Sequence, residues 1–445
     1  MAQRLFGTDG VRGVAGAFPL DPTTVARLGA AIVRALESER PVRIVLGRDT
    51  RESGEWIARE LARGAGSAGA TLTDAGILPT PAVAYLAGAL DFDLGVVLSA
   101  SHNPYTDNGI KVFSGRGEKF GEIEERAVET VMADEGWRVP ASAEARVTTA
   151  EFGERYLDHV RRLLPSAGPL TGARIALDLA NGATTTTAIP LFERCGFTVT
   201  ALGNEPNGRN INLACGSTHP ARLAAAVVAT GARLGVAFDG DGDRAIFVDH
   251  RGHIVDGDAV LLILARHYQR HGRLHDDTVV ATVMSNVGLE IALKRHGITL
   301  LRTSVGDKYV MEEMARGGYV LGGEQSGHVI LTEHLPTGDG QATALAVLRV
   351  MADTGKELAE LASELVTYPQ TLVNVRVKTK TPIDQVPEIG AAIARVEAAL
   401  AGTGRVLVRY SGTEPLLRVM IEGEDQASVQ AWAEEIAEAV RVTLG

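Results

Sequence analysis

The stretch PARLAAAVVATGARLGVAFDGDGDR, residues 220–244, decides the fold and points to the chemistry. Pro220–Gly231 reads as a helix and Leu234–Phe238 as a short apolar strand. Directly beyond the strand stand Asp239, Asp241 and Asp243, separated by glycines and followed by Arg244. Three carboxylates this close repel strongly unless a cation sits among them. A calcium loop of the helix–loop–helix kind wants glycine at its sixth position and glutamate at its twelfth. Counted from Asp239 these are Arg244 and His250, so that reading fails. An acidic surface turn is the bland alternative, and the buried strand before it argues against one. An all-oxygen donor set favours magnesium over zinc.

The same alternation extends in both directions. Upstream, Val25, Leu28, Ile32 and Leu36 recur at helical spacing, with Thr23 and Thr24 as cap candidates. Val42–Leu46, Asp93–Leu98, Arg174–Leu179 and Thr198–Leu202 read as strands. Downstream come a helix at Asp258–His271, a strand at Thr278–Val283, a helix at Leu289–His296 and a strand at Thr299–Arg302. Such units predict an α/β fold with mostly parallel sheets covered on both faces. The tail differs. Strands Leu372–Val377, Arg405–Val408 and Leu416–Glu422 precede a helix at Ala427–Leu444, which predicts a small α+β domain with an antiparallel sheet. Pattern restarts set boundaries near 150 and 250, and Pro369, expected to stop the preceding helix, sets one near 368. The expected domains are 1–150, 151–250, 251–367 and 368–445.

A length of 445 residues suits about three domains at roughly 150 each, or four if one is small. With 55 acidic against 44 basic residues the net charge is −11, and no Lys/Arg block occurs, so no nucleic-acid partner is expected. A local basic pocket could still take an anion. Two cysteines, Cys195 and Cys215, exclude a disulfide scaffold and fit a reducing cytoplasm. The polar opening does not read as a signal peptide, and no apolar run approaches the ~18 residues of a membrane span. The expected location is therefore cytoplasmic, with no membrane partner.

Ligands in open α/β sheets bind beyond the carboxyl ends of strands, and further polar loops lie along the chain. Ser99-Ala100-Ser101-His102-Asn103-Pro104 follows the strand ending at Leu98 and leads to Asp107-Asn108-Gly109-Ile110-Lys111. A phosphorylated Ser101 could donate its phosphoryl group, and Lys111 could shuttle a proton if burial lowers its pKa. Gly322-Gly323-Glu324-Gln325-Ser326-Gly327-His328 offers groups suited to sugar hydroxyls or an amine. Ser304-Val305-Gly306-Asp307-Lys308 is another glycine turn with an acid and a base. Arg409, Ser411, Gly412 and Thr413, with Arg418 beyond, suit a phosphate grip. Taken singly, the serine and glycine loops could be ordinary solvated turns. No phosphate-binding P-loop, H-E-x-x-H, G-x-S-x-G or C-x-x-C occurs. His102, His219 and His328 read as hydrogen-bonding residues rather than metal ligands.

Together and in this order the four loops resemble the α-D-phosphohexomutases over nearly the whole chain. The resemblance implies three similar mixed-sheet α/β domains and a smaller C-terminal α+β domain around a central cleft. The opening Phe6-Gly7-Thr8-Asp9-Gly10-Val11-Arg12-Gly13, the 305–308 turn, the 323–328 loop and the runs 210–212 and 216–220 are similar to the bacterial branch acting on glucosamine phosphates. The implied reaction interconverts glucosamine 6-phosphate and glucosamine 1-phosphate through a phosphoserine and a bisphosphorylated sugar, feeding UDP-N-acetylglucosamine and peptidoglycan. Ser101 matches the phosphoserine and a fourth metal ligand, while Asp239, Asp241 and Asp243 match the magnesium ligands. Arg12, Lys111, His102 and Arg244 are assigned to the transfer site. Asp307, Lys308, Glu324, Ser326 and His328 fall to the sugar, and Arg409, Ser411, Gly412, Thr413 and Arg418 to the non-reacting phosphate. Arg12, Lys111, Arg244, Lys308, Arg409 and Arg418 would offset the roughly −3 to −4 of charge on a bisphosphate. Implied cofactors are magnesium and a hexosamine or hexose bisphosphate as activator; the partner is a small-molecule sugar phosphate.

Three other readings stand beside this one: the same machine for mannose or glucose phosphates, a magnesium-dependent sugar phosphatase, and a non-catalytic sensor. Ser101 beside three intact carboxylates argues against the sensor. The oligomeric state, a homodimer among the options, is open in the sequence, as is the phosphorylation state of Ser101.

Overall fold

Leu234–Phe238 is a strand with every residue buried, fed by the helix Ala221–Thr230, which closes on Gly231 at φ 63°. In the computed structural model, which describes residues 4–411 and 415–445, it lies mid-sheet. The five-stranded order is Ile254–Val255, Ala245–Asp249, Leu234–Phe238, Arg174–Asp178, Thr198–Leu202. The last three strands are parallel, and Ala245–Asp249 folds back antiparallel beside them.

That scheme recurs twice. A six-stranded sheet runs Val11–Val14, Asp107–Ser114, Leu94–Leu98, Arg43–Arg48, Thr71–Ile77, Arg146–Thr149; the last four are parallel and Asp107–Ser114 turns back on Leu94–Leu98. A four-stranded sheet runs Thr299–Thr303, Thr278–Thr282, Leu321–Gly323, Val329–Leu331, with only the last strand reversed. The sheets are therefore mixed rather than parallel throughout. The three reversal loops, residues 99–106, 239–244 and 324–328, occupy the same place in each sheet, just past the carboxyl end of a parallel strand. Three of the polar motifs are those loops.

Local chemistry sets the elements. Pro22–Ala35 is capped by Asp21, whose Oδ1 accepts from the amides of Thr23 and Thr24 at 3.1 and 3.0 Å; the threonines supply donors and are not the cap. This helix packs on Gly54–Ser67 backbone to backbone. A Cβ at Gly64 would stand 1.8 Å from the Ala26 carbonyl oxygen, and one at Gly29 2.2 Å from that of Leu61.

The three sheets belong to one compact unit, the chain up to Met284 with Ile298–Ser363; Ser285–Gly297 and Glu364–Gly445 form a second. The second unit is an antiparallel sheet, Gln370–Arg376, Leu416–Glu422, Arg405–Tyr410, whose core of Ile389, Val396, Leu417, Val419, Ile436 and Val440 is shared with the helices Pro387–Leu400 and Gln426–Leu444. The helix Val287–Arg295 packs within this unit: Asn286 and Tyr368 exchange two 3.0 Å hydrogen bonds, and a Cβ on Gly288 would meet the Val366 carbonyl oxygen. Pro369 does not stop a helix; Leu358–Ala362 has already ended, and Pro369 precedes the strand Gln370–Arg376 at the sheet edge. Among the described residues no helix is long and apolar enough to cross a membrane.

One polar cluster in the first unit sets an acid limit on stability. His159, in the helix Gly153–Arg161, is stacked between Tyr85 and His334, with Nε2 3.2 Å from the His334 carbonyl and Nδ1 buried without a partner. Burial first, then His334, pushes its pKa down to about 4 against the weaker pull of Asp339. An unfolded chain takes this proton near the ordinary 6.5 and the folded one only near 4. Stability is thus expected to fall as pH drops through that window. His159→Phe keeps the stack and loses the proton, so its melting temperature should fall less steeply between those pH values. Equal slopes would sink the assignment.

Candidate active site

The strand Leu94–Leu98 delivers Ser101 into a buried turn, at φ 52° and 1% exposure. Its hydroxyl donates to Asp239 Oδ2 at 2.5 Å and lies 3.3 Å from His102 Nδ1. Asp239, Asp241 and Asp243 leave the neighbouring sheet at the equivalent reversal, all buried, their carboxylate oxygens within 4.8 Å of one another. Thr80 pins this loop through Oγ1 to Asp241 Oδ2 at 2.5 Å and its amide to the Asp241 carbonyl at 2.8 Å. Asp241 Oδ1 and Asp243 Oδ1 are buried with no hydrogen-bond partner. Orphaned carboxylate oxygens converging in an all-oxygen set fit a hard divalent cation.

The cations around this cluster are largely buried too. Lys111, on the reversed strand Asp107–Ser114, places Nζ 2.7 Å from Asp241, 3.2 Å from Asp243 and 3.0 Å from Asp9. Burial alone would lower its pKa, but the three carboxylates outweigh burial and hold it well above the usual lysine range. The lowered pKa expected of a proton shuttle is thus reversed. Burial and the two neighbouring carboxylates push Asp239 up, whereas Lys111, His328 and Arg244 outweigh burial to hold Asp243 well below the carboxylate range. Arg12 binds the Asp9 carboxylate and reaches the Ala100 carbonyl at 3.4 Å. Arg244 Nη1 stands 3.3 Å from His102 Nδ1, and a guanidinium only donates, so Nδ1 is bare. Burial, then Arg244 and Arg12, take His102 down to about 4, so it is neutral at pH 7.

The sugar-side residues divide. Glu324 Oε1 accepts from the Gly306 amide at 3.2 Å, tying the 324–328 loop to the 305–308 turn. His328 is wedged between Asp243 (3.6 Å) and Asp307 (3.4 Å); burial would lower its pKa, and the two carboxylates raise it. Ser326 is exposed at the loop tip. Lys308 is not brought to the cluster: its ammonium is buried on Glu125 at 2.8 Å. Asp307 and Lys308 are consecutive at the start of the helix Asp307–Gly317, so they face different ways, and Asp307 takes the inward one. Lys119, which carries no motif, supplies the inward ammonium instead, on Asp307 and 2.6 Å from Asp9. Asp9, Thr80 and Lys119 were all missed; Asp9 alone had a signal, lying three residues before Arg12 in the opening.

In the second unit, Arg409 and Arg418 face each other across paired strands, and burial and the neighbouring Arg418 charge lower the Arg409 pKa. Two guanidiniums side by side suit an anion. Lys380, unforeseen, donates to the Ser411 carbonyl at 2.6 Å and adds a third cation. Gly412 and Thr413 lie outside the described residues.

Known proteins share this arrangement at several levels. Four models described as phosphoglucomutase/phosphomannomutase match in succession: alpha/beta/alpha domain I over 3–138, II over 154–252, III over 256–368 and the C-terminal domain over 372–439. A phosphoglucosamine mutase of Solibacter usitatus is 49% identical over 452 residues, covering 100% of both chains. A phosphoglucomutase/phosphomannomutase family protein from Burkholderia thailandensis superposes with TM-score 0.80 at 23% identity, over 99% of this chain and 98% of that one. An N-acetylphosphoglucosamine mutase from Aspergillus fumigatus, solved with GlcNAc-6P and magnesium, does so at 0.69 and 17%, over 99% and 96%. Structural likeness at such identities establishes the fold alone. The successive models and the full-length relative go further, and the chain belongs to the phosphoglucomutase/phosphomannomutase family.

Proposed function

We propose that the chain is an isomerase interconverting D-glucosamine 6-phosphate and α-D-glucosamine 1-phosphate, with Ser101 as the phosphoryl carrier and a bisphosphorylated sugar as intermediate. The product supplies UDP-N-acetylglucosamine synthesis. The observation that carries the reading is the Ser101 hydroxyl held on Asp239 at a buried three-carboxylate cluster, in a chain 49% identical from end to end to a phosphoglucosamine mutase. Asp239, Asp241 and Asp243, with a Ser101 oxygen, would hold magnesium, which when bound draws charge from the phosphoryl group.

The chain's own groups do the rest. Phosphoryl transfer needs positioning and charge neutralisation more than covalent chemistry. Lys111 keeps its proton, so it acts as a fixed charge and a hydrogen-bond donor rather than a base. Arg12 and Arg244 flank the serine, and neutral His102 adds no charge beside its hydroxyl. Glu324, Ser326 and Asp307 meet the sugar, with His328 behind Asp307. Arg409, Ser411, Gly412, Thr413 and Arg418 grip the phosphate that is not reacting. Because either phosphate must face Ser101 in turn, that grip accepts the O1 and O6 esters alike. The reading keeps four domains divided near 150, 250 and 368, a hexose bisphosphate as activator, and the cytoplasm as location; the free cysteines Cys195 and Cys215 suit a reducing compartment.

Phosphorus NMR on the protein with magnesium, trace glucose 1,6-bisphosphate and glucosamine 6-phosphate tests it, with glucose and mannose 6-phosphates in parallel. A 1-phosphate signal growing fastest from the glucosamine ester is expected. Faster turnover of a neutral hexose would overturn the sugar assignment, and release of free phosphate alone would make the protein a phosphatase.

A further inference from the structure

We infer that Arg51, with Asp49 and Ser99, is a positioning unit that fixes Ser101 for phosphoryl transfer; the inference rests on Ser101 as the phosphoryl carrier. Arg51 and Asp49 form an ion pair at 2.9 Å with both side chains at 0% exposure. A pair so buried is tolerated only when its remaining donors and acceptors are satisfied. The donors of Arg51 go to the backbone of the serine loop. Nη2 donates to the carbonyls of Ser101 at 3.0 Å and Asn103 at 2.8 Å, and Nη1 to those of Asp107 at 2.9 Å and Pro104. One planar guanidinium thus fixes both ends of the turn.

Asp49 acts on the other side of Ser101. Its Oδ2 accepts from Ser99 Oγ at 2.5 Å, and that oxygen accepts the Ser101 amide at 2.9 Å. The Ser101 backbone is therefore held at its carbonyl by Arg51 and at its N–H through Ser99 by Asp49. A serine at φ 52° persists only where its surroundings over-determine it. The hydroxyl that carries the phosphoryl group is aimed by that enforced backbone. Lysine could keep the charge on Asp49, but its single ammonium lacks the fork that spans four carbonyls.

Arg51→Lys and Ser99→Ala test this in the full-length protein with magnesium and glucose 1,6-bisphosphate. The readouts are melting temperature, intact mass for phosphate on Ser101, and kcat and KM for glucosamine 6-phosphate. Arg51→Lys is expected to lower kcat roughly 100-fold, as small misplacements of a reacting group do. Ser99→Ala, which removes the hydroxyl linking Asp49 to the Ser101 amide and with it two hydrogen bonds, should lower it about tenfold. In both, Ser101 should take up phosphate more slowly while KM stays near the wild-type value. A folded Ser99→Ala protein with wild-type kcat, or a loss confined to KM, overturns the inference. Ser99→Ala decides alone if Arg51→Lys does not fold. A wild-type protein that never carries phosphate on Ser101 would instead overturn the function on which the inference rests.

Discussion

Ser101→Ala is expected to lose isomerisation by roughly ten-thousandfold or more, the scale seen when a covalent carrier is removed. The reason lies in what surrounds the serine. Thr80, another hydroxyl at the cluster, is committed to Asp241 through both its side chain and its amide. His102 turns Nδ1 toward Arg244 and is neutral, so a phosphoryl group there would meet neither the carboxylate cluster nor a free lone pair. Alanine keeps the Cβ, so the left-handed backbone at this position is no more strained than before. The variant should fold, melt near the wild-type temperature and still respond to magnesium, yet show no phosphate by intact mass. Phosphorus NMR gives the rate. A variant that still isomerises at a comparable rate, or still takes up phosphate, would exclude Ser101.

The parallel strands were legible because burial on both faces forces continuous apolar runs, as at Leu234–Phe238 and Leu94–Leu98. The reversed strands were not. Asp107–Ser114 opens with Asp107, Asn108 and Gly109, which reads as a loop, although Asn108 is wholly buried against Ser53. Missing those strands hid the fact that three motifs fill one equivalent place in three sheets. The candidate site shows the same division. Asp239, Asp241 and Asp243 announce themselves because adjacent charges demand an explanation. Lys119 carries no such signal; a bridge to Phe113 and the ion pairs it makes with Asp9 and Asp307 exist only in three dimensions. Lys308 shows the converse, a charged residue beside a motif whose ammonium pairs with Glu125. Arg51 lies in none of the motifs, because most of its partners are backbone carbonyls, which a sequence does not distinguish.

Asp239→Asn is expected to separate stability from activity. In the metal-free protein Lys111 neutralises Asp241 and Asp243 directly, while Asp239 rests on the Ser101 hydroxyl and the Arg244 amide with no ammonium of its own. Its charge mainly repels its two neighbours. Asparagine fits the same contacts: its carbonyl can accept from the Arg244 amide and its NH2 can donate to Ser101 Oγ. With chelator present, the variant should therefore melt at or above the wild-type temperature. Magnesium reverses the order. A cation that binds only the folded state stabilises it in proportion to its affinity, and the variant has lost one of three anionic ligands. The wild-type melting temperature should rise with magnesium and the variant's much less, so the two cross. Activity should fall on the order of 100- to 1000-fold at saturating substrate, the loss of charge stabilisation at the transferring group. Melting curves in chelator and in magnesium read both effects. An equal magnesium-induced rise in the two proteins would remove Asp239 from the metal site, and a lower melting temperature in chelator would mean that its carboxylate supports the fold rather than opposing it.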